Sequence, residues 1–372
     1  VEADRLTAIV FERLGRRVTS IEPIAAGMGA RRFHRLHFSD GTPESMVARS
    51  DDSGAASPEP AKSAPRPPPS SRPPLGPAPA WLPEPPLEPL RSFLEAAGLP
   101  VPKSFGHFPE LGLDLLEDVG TRNLLGADPR DREGLYREAC ALVPRLQRLA
   151  AKPDRIPAFG RRYDAALVDT KLWKWLNWAI PGLLRREANA REREDLNELF
   201  TAIVEDLEGA PRRLAHRDFK AENLHLRPPG AGGRPSLVMI DVQGAFIAPP
   251  EYDLVCLLYD LQTDLDESLA MRLLAEVVPS LPDHPSSETV RRRFDALAVA
   301  RLAKDVAHVV HAGRVRGDWR RWAEIPRGLE LLERAAGRLE TIFPGVPTLI
   351  SVIHALTTAA ESADIASEGT DR

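Results

Sequence analysis

Cysteine is nearly absent: among 372 residues only Cys140 and Cys256 occur. They lie far apart, without metal-ligand spacing, each inside an apolar helical pattern, so they read as buried core thiols and not as a metal centre. No run approaches the roughly 18 apolar residues of a membrane span. No basic segment leads into an apolar stretch near the start, and the composition reads as a soluble cytosolic protein with no membrane partner. Charge of one sign is lacking too. The net charge is −5 with 28% charged residues, which leaves no whole-chain field to attract nucleic acid. A complete G-x-G-x-x-G is also missing: AAGMGA supplies only Gly27 and Gly29. Those two glycines either cover a nucleotide's phosphates with backbone N–H groups or make a plain hairpin turn.

Proline, in contrast, is abundant and clustered. Fourteen of the 36 prolines fall between residues 58 and 89, mixed with Ser, Ala and Gly. Such a stretch lacks the apolar groups that would offset its ordering entropy, and 50–86 is expected to be an extended, disordered insertion. It serves either as a passive linker or, over 58–89, as a docking segment for a polyproline-binding partner. Trp81 and Leu82 are candidates for local docking within it.

The insertion divides a front part from a back part. Residues 2–15 have Leu6, Ile9, Val10 and Leu14 at helical spacing and Gly15 as a stop. Strands are predicted over 18–24, 32–38 and 45–49, the last two joined by an Asp-Gly turn. Arg49, at the end of the third, is a candidate phosphate contact or a solvated charge. After a short helix over 87–98, two more strands end in Glu117-Asp118-Val119-Gly120, an exposed hinge. The backbone of Glu117 and Val119 is placed there to meet a nucleotide base. Beyond Gly120 the periodicity is helical almost throughout. The whole reads as a bilobal α+β fold with a small β-rich N-lobe (1–49 and 87–120) and a large, mostly helical C-lobe (121–372).

One stretch departs from that helical pattern. In 214–243, LAHRDFKAENLHLRPPGAGGRPSLVMIDVQG, two apolar runs, Leu224–Leu226 and Leu237–Ile240, flank a Pro/Gly turn and predict a buried β-hairpin. His216, Asp218 and Asn223 precede the first run; Asp241 and Gln243 follow the second. The hairpin brings Asp218, Asn223 and Asp241 to one edge. Two carboxylates and an amide gathered there suit Mg-dependent phosphoryl transfer. One acid orients and deprotonates a hydroxyl, while the amide oxygen and the other acid hold Mg²⁺ against the phosphates. Asp253, in the first turn of the next helix, is either a cap acid or an anchor for the loop before the hairpin. Trp173, Trp175 and Trp178 crowd one helix, either as core or as a wall against which a sugar stacks. Basic residues recur over 291–321, mostly as a solvated face; any that line a cleft favour a neutral or acidic acceptor.

LAHRDFKAENL, IDVQGA, PPEYDLVCLL and LLEDVG resemble the motifs of the aminoglycoside phosphotransferase and choline kinase superfamily. GMGARRFHRL, YDAALVDTKLWKWLNW and LAVARLAKDVAHVVHAGRVRGDW are similar to its bacterial sugar kinases, which phosphorylate N-acetylmuramate and N-acetylglucosamine at C1 in cell-wall recycling. The resemblance implies a protein-kinase-like fold, ATP or GTP as donor, Mg²⁺, and a small sugar acceptor. It implies Asp218 as the base, Asn223 and Asp241 as metal ligands, His216 as a brace and Asp253 as a support. Arg49 stands where that family has lysine, and Glu84, Glu88 and Glu95 are the candidates for its ion-pair partner. Lys171 stands where the sugar kinases are expected to have an acid. Choline-like, homoserine-like and aminoglycoside acceptors are the alternatives, and a nucleotide-binding scaffold without catalysis is the alternative outside enzymes.

Overall fold

A computed structural model describes residues 3–24, 31–39, 41–51, 85–228 and 235–368. Gly27, Gly29, Trp81, Leu82, Glu84 and most of the proline-rich stretch lie outside them. Helix α1 (Ala3–Leu14) buries Leu6, Ile9 and Val10, the residues its periodicity selects. Strands β1 (Val18–Ile24), β2 (Arg31–Phe38) and β3 (Ser45–Asp51) follow, then α2 (Leu90–Ala96), β4 (Ser104–Phe108) and β5 (Leu113–Glu117). The strands form one antiparallel sheet in the order β1-β2-β3-β5-β4. Leu36, Met46, Ala48, Leu113 and Leu115 pack with α1 in a separate small core. Because side chains alternate along a strand, Arg49, Asp114 and Leu116 occupy the opposite face, and Leu116 joins the large core of the second lobe.

The second lobe contains α3 (Pro129–Gln147), α4 (Ala165–Lys174), α5 (Ile180–Leu184) and α6 (Ala190–Glu208). Four short strands come next: β6 (Arg213–Ala215), β7 (Leu224–Arg227), β8 (Ser236–Met239) and β9 (Phe246–Ala248). The lobe ends with α7 (Tyr252–Leu258), α8 (Glu267–Val277), α9 (Ser287–Arg316), α10 (Ile325–Gly337) and α11 (Val346–Glu368). The expected hairpin is present: β7 pairs β8 with Leu224 opposite Met239 and Leu226 opposite Leu237. β6 pairs β9 beside it, so two ribbons carry the loops between them.

Two features of the helical lobe set the position of the site. α4 and α5 are joined by a π turn, Trp175–Ala179. Pro181 follows at the start of α5, and its missing N–H cannot close the α-helical bond to the preceding turn. α9 is buried on nearly every side, from Val290 to Val310. α5 lies close against it: a Cβ on Gly182 would stand 2.3 Å from Val310 Cγ1, so only glycine fits there. The basic stretch over 291–321 is helical only as far as Arg316, where Gly317 takes a left-handed φ of 68°.

Candidate active site

The loop between β6 and β7 carries His216, Asp218 and Asn223, and the loop between β8 and β9 carries Asp241. The structure brings all four together through a set of backbone-directed hydrogen bonds. His216 is buried and donates from Nε2 to the Ile240 carbonyl at 2.9 Å, tying one loop to the other. A carbonyl only accepts, so the ring proton sits on Nε2. Asp253 takes the N–H groups of His216 and Arg217 at 2.7 and 3.0 Å, one on each carboxylate oxygen. Arg217 needs that support, because its φ of 82° is a left-handed conformation costly for a residue with a side chain. Farther along, Asp260 accepts from Ala221 N at 3.3 Å.

Asn223 donates its amide N–H to the Asp218 carbonyl at 2.9 Å, and the Ile240 N–H donates to the Asn223 carbonyl at 3.0 Å. This orientation leaves the Asn223 side-chain oxygen as the atom available to a cation. Asp241 has a φ of 60° and is exposed; Gln243 Nε2 donates to its Oδ1 at 2.5 Å. One amide oxygen and one carboxylate at the end of the hairpin fit a hard cation that takes its remaining ligands from phosphates and water. Among the described residues no group of three or more His, Cys, Asp or Glu could hold a metal by itself.

Asp218 is 37% exposed at its side chain and faces the Arg301 guanidinium at 4.0 Å. Partial desolvation works to raise its carboxyl, but Arg301, Lys304, Arg217 and Lys220 outweigh it and hold the group below the ordinary carboxylate range. Arg301 itself is 5% exposed and bonds the Arg217 carbonyl at 3.3 Å and Asp305 at 3.2 Å. The basic run of α9 is therefore not simply a solvated face, since Arg301 lies under the candidate base. Its i,i+4 pairing with Asp305, set inside LAVARLAKDVAHVV, is the signal that could have marked it: a charged pair in an apolar run has to be buried.

Other expected residues are placed differently. Arg49 is buried and pairs with Asp114 at 2.5 Å, and Asp114 also takes His107 at 2.6 Å. Asp114 is thus a partner of Arg49 that was not among the glutamates considered for it. Glu88 and Glu95 both go to Arg91 instead, the latter at 2.7 Å. The reason is register: Arg49 and Asp114 are directly opposite on β3 and β5. Glu117 ends β5 and makes a two-pronged bond to Arg227 on β7, 2.8 Å for each prong, which joins the lobes. Val119 is buried, and Asp118 beside it takes Arg35 at 2.6 Å. Trp175 is 0% exposed and belongs to the core, so it cannot form a sugar wall. Trp178 remains half-buried, stacked on His311 at 4.0 Å, with Trp173 edge-on to it at 5.6 Å.

With that geometry in hand, the sequence matches the family described as "Phosphotransferase enzyme family" over residues 20–287. The chain belongs to the phosphotransferase enzyme family. It is 26% identical over 263 residues to the N-acetylmuramate/N-acetylglucosamine kinase of Neisseria meningitidis serogroup B, covering 68% of this chain and 75% of that protein. A choline kinase from Streptococcus pneumoniae shares the fold with a TM-score of 0.53 at 14% identity, covering 91% of this chain and 98% of that one. An ADP-bound aminoglycoside phosphotransferase shares it with a TM-score of 0.52 at 14% identity, covering 89% and 97%. The bilobal protein-kinase-like fold and the reading as a small-molecule kinase are both borne out. Among the described residues no helix is long and apolar enough to cross a membrane.

Proposed function

We propose that this phosphotransferase moves the terminal phosphate of ATP or GTP onto a hydroxyl of an amino sugar of the N-acetylmuramate/N-acetylglucosamine type. The observation that carries the reaction is the convergence of Asp218, Asn223 and Asp241 on one edge, locked by the His216 bridge to Ile240. The relative named for both sugars supports the acceptor class.

In this reading Asp218 accepts a hydrogen bond from the acceptor hydroxyl and aims its oxygen at the terminal phosphate. A carboxylate held below its ordinary range is a weak base, so it orients first and takes the proton late. That order suits a loose transition state, in which the nucleophile carries little charge until the leaving group has largely departed. Asn223 and Asp241 would hold Mg²⁺, which when bound neutralises charge on the nucleotide's phosphates. Asp253 and His216 fix the loop, so the hydroxyl meets a preorganised acceptor of its proton.

The test is consumption of ATP and of GTP with Mg²⁺ across N-acetylmuramate, N-acetylglucosamine, other free sugars, choline and aminoglycosides. Turnover on the amino sugars is expected. Turnover only on choline or aminoglycosides would overturn the acceptor.

A further inference from the structure

A cavity of about 440 Å³ lies where the start of α4 and the end of α6 meet the residues leading into β6. It is lined by Tyr163, Arg212 and the apolar side chains of Ala165, Val204 and Leu207, with Arg162, Asp164 and Glu208 exposed at its edge. Two donors in its lining have no acceptor: among the described residues neither Tyr163 Oη nor Arg212 Nη1 has a hydrogen-bond partner, and both atoms are buried. Tyr163 is only 3% exposed. Leaving a buried donor unpaired is costly, so two beside one cavity call for an acceptor that enters it. Burial pushes the Tyr163 phenol up, which keeps the proton on its oxygen and the group a donor at neutral pH. Burial also pushes the Arg212 guanidinium down. Glu208 and Asp164 act against that shift without cancelling it, and Arg162 adds repulsion. Asp164 is partly engaged already, since its Oδ1 caps α4 by accepting the Leu167 N–H at 3.0 Å.

We propose that this cavity binds a small monocarboxylate, whose oxygens accept from Tyr163 Oη and Arg212 Nη1 and whose apolar body lies against Ala165, Val204 and Leu207. A carboxylate offers two acceptor oxygens in one plane, which suits a guanidinium edge with a hydroxyl beside it. The charges in the lining balance, two arginines against two acids, so a multivalent anion such as phosphate or a nucleotide gains no net attraction. Asp164 and Glu208 at the edge repel a second negative charge. The site is separate from the one at Asp218. The Tyr163 ring packs on that of Tyr252 at 5.4 Å, the Arg301 guanidinium lies 5.9 Å from the Tyr252 ring, and Arg301 in turn faces Asp218 at 4.0 Å. The inference therefore stands apart from the reading of Asp218 as the base of a kinase.

Benzoate and butyrate are suitable probes, with benzamide and butyramide as neutral matches and inorganic phosphate as the multivalent anion. Binding is measured by ligand-observed NMR titration with ADP present, in the parent chain, Tyr163→Phe and Arg212→Gln, and thermal melts without any probe check the folding of each variant. At least one carboxylate is expected to bind the parent about tenfold more tightly than its amide and than phosphate, and each substitution to weaken that binding about tenfold. Without a probe, Tyr163→Phe is expected to melt at or above the parent temperature, because it removes a buried hydroxyl that has no partner. A lower melting temperature would mean that the hydroxyl is already paired, and would overturn the site. Equal binding of carboxylate and amide, or a preference for phosphate, would overturn the ligand class. Unchanged carboxylate binding in Tyr163→Phe would place the probe elsewhere, and no binding of either carboxylate at about 20 mM would leave the cavity to water. Either result would overturn the proposal.

Discussion

Asp253 holds His216 by its backbone, accepting the His216 N–H on Oδ2 at 2.7 Å while Oδ1 takes the N–H of Arg217 at 3.0 Å. Both oxygens of one buried carboxylate are therefore spent on the loop that carries Asp218. In Asp253→Asn one oxygen becomes an NH₂ that faces a backbone N–H, leaving two buried donors opposed. The expected result is a 10- to 100-fold fall in kcat and a loss of about 1–3 kcal/mol of stability, with nucleotide affinity within about threefold. Steady-state kinetics with thermal melts check it; an unaffected kcat would remove Asp253 from the support of the loop.

Arg301 is expected to tune the base. It is the leading cationic influence that depresses the Asp218 carboxyl. Arg301→Met removes a charge that favours the ionised form, so the carboxyl rises toward its ordinary value. The acid limb of kcat/KM against pH should then move to higher pH. The substitution also removes one of the two cations on the half-buried Asp305, which keeps Lys304, so a stability loss of about 1–3 kcal/mol accompanies it. A pH profile that does not move would contradict the electrostatic role.

Glu251 gives a pH dependence of stability. Its side chain is 0% exposed, faces Arg293 at 3.7 Å, and burial pushes its pKa up from 4.5 to about 7. The folded chain then holds a proton that the unfolded chain has already released between these two values. Stability from this group is complete below about pH 4.5, falls as pH rises through the interval, and stays low above about pH 7. Glu251→Gln, which resembles the protonated form, is expected to match the parent at pH 5 and exceed it by roughly 1–3 kcal/mol at pH 8. Denaturant melts at the two pH values measure this, and equal differences at both would contradict it.

Much of the site was legible in the sequence because its parts are local. The spacing of Asp218 and Asn223 lies within one loop, and Asp241 follows its strand directly, so a hairpin alone gathers them. Pairings between distant elements were not legible. Arg49 meets Asp114 only because β3 and β5 are neighbours in the sheet, which the intervening proline-rich stretch hides. Arg301 reaches Asp218 only because α9 runs through the core beneath the loop. Trp175 and Trp178 share one helix and one spacing argument, yet the π turn directs the first into the core and leaves the second half-buried. The sequence could not foresee that turn, because its cause, Pro181, would equally permit a helix end.

The central claim is that Asp218 handles the proton of the acceptor hydroxyl and is not a ligand of the nucleotide. Measuring phosphoryl transfer to the amino sugar in Asp218→Asn, alongside ATP affinity by calorimetry, tests it most directly. Transfer is expected to fall by about 10²–10⁴-fold while ATP affinity stays within about threefold. Transfer within tenfold of the parent, or a collapse of ATP binding alongside it, would contradict the account.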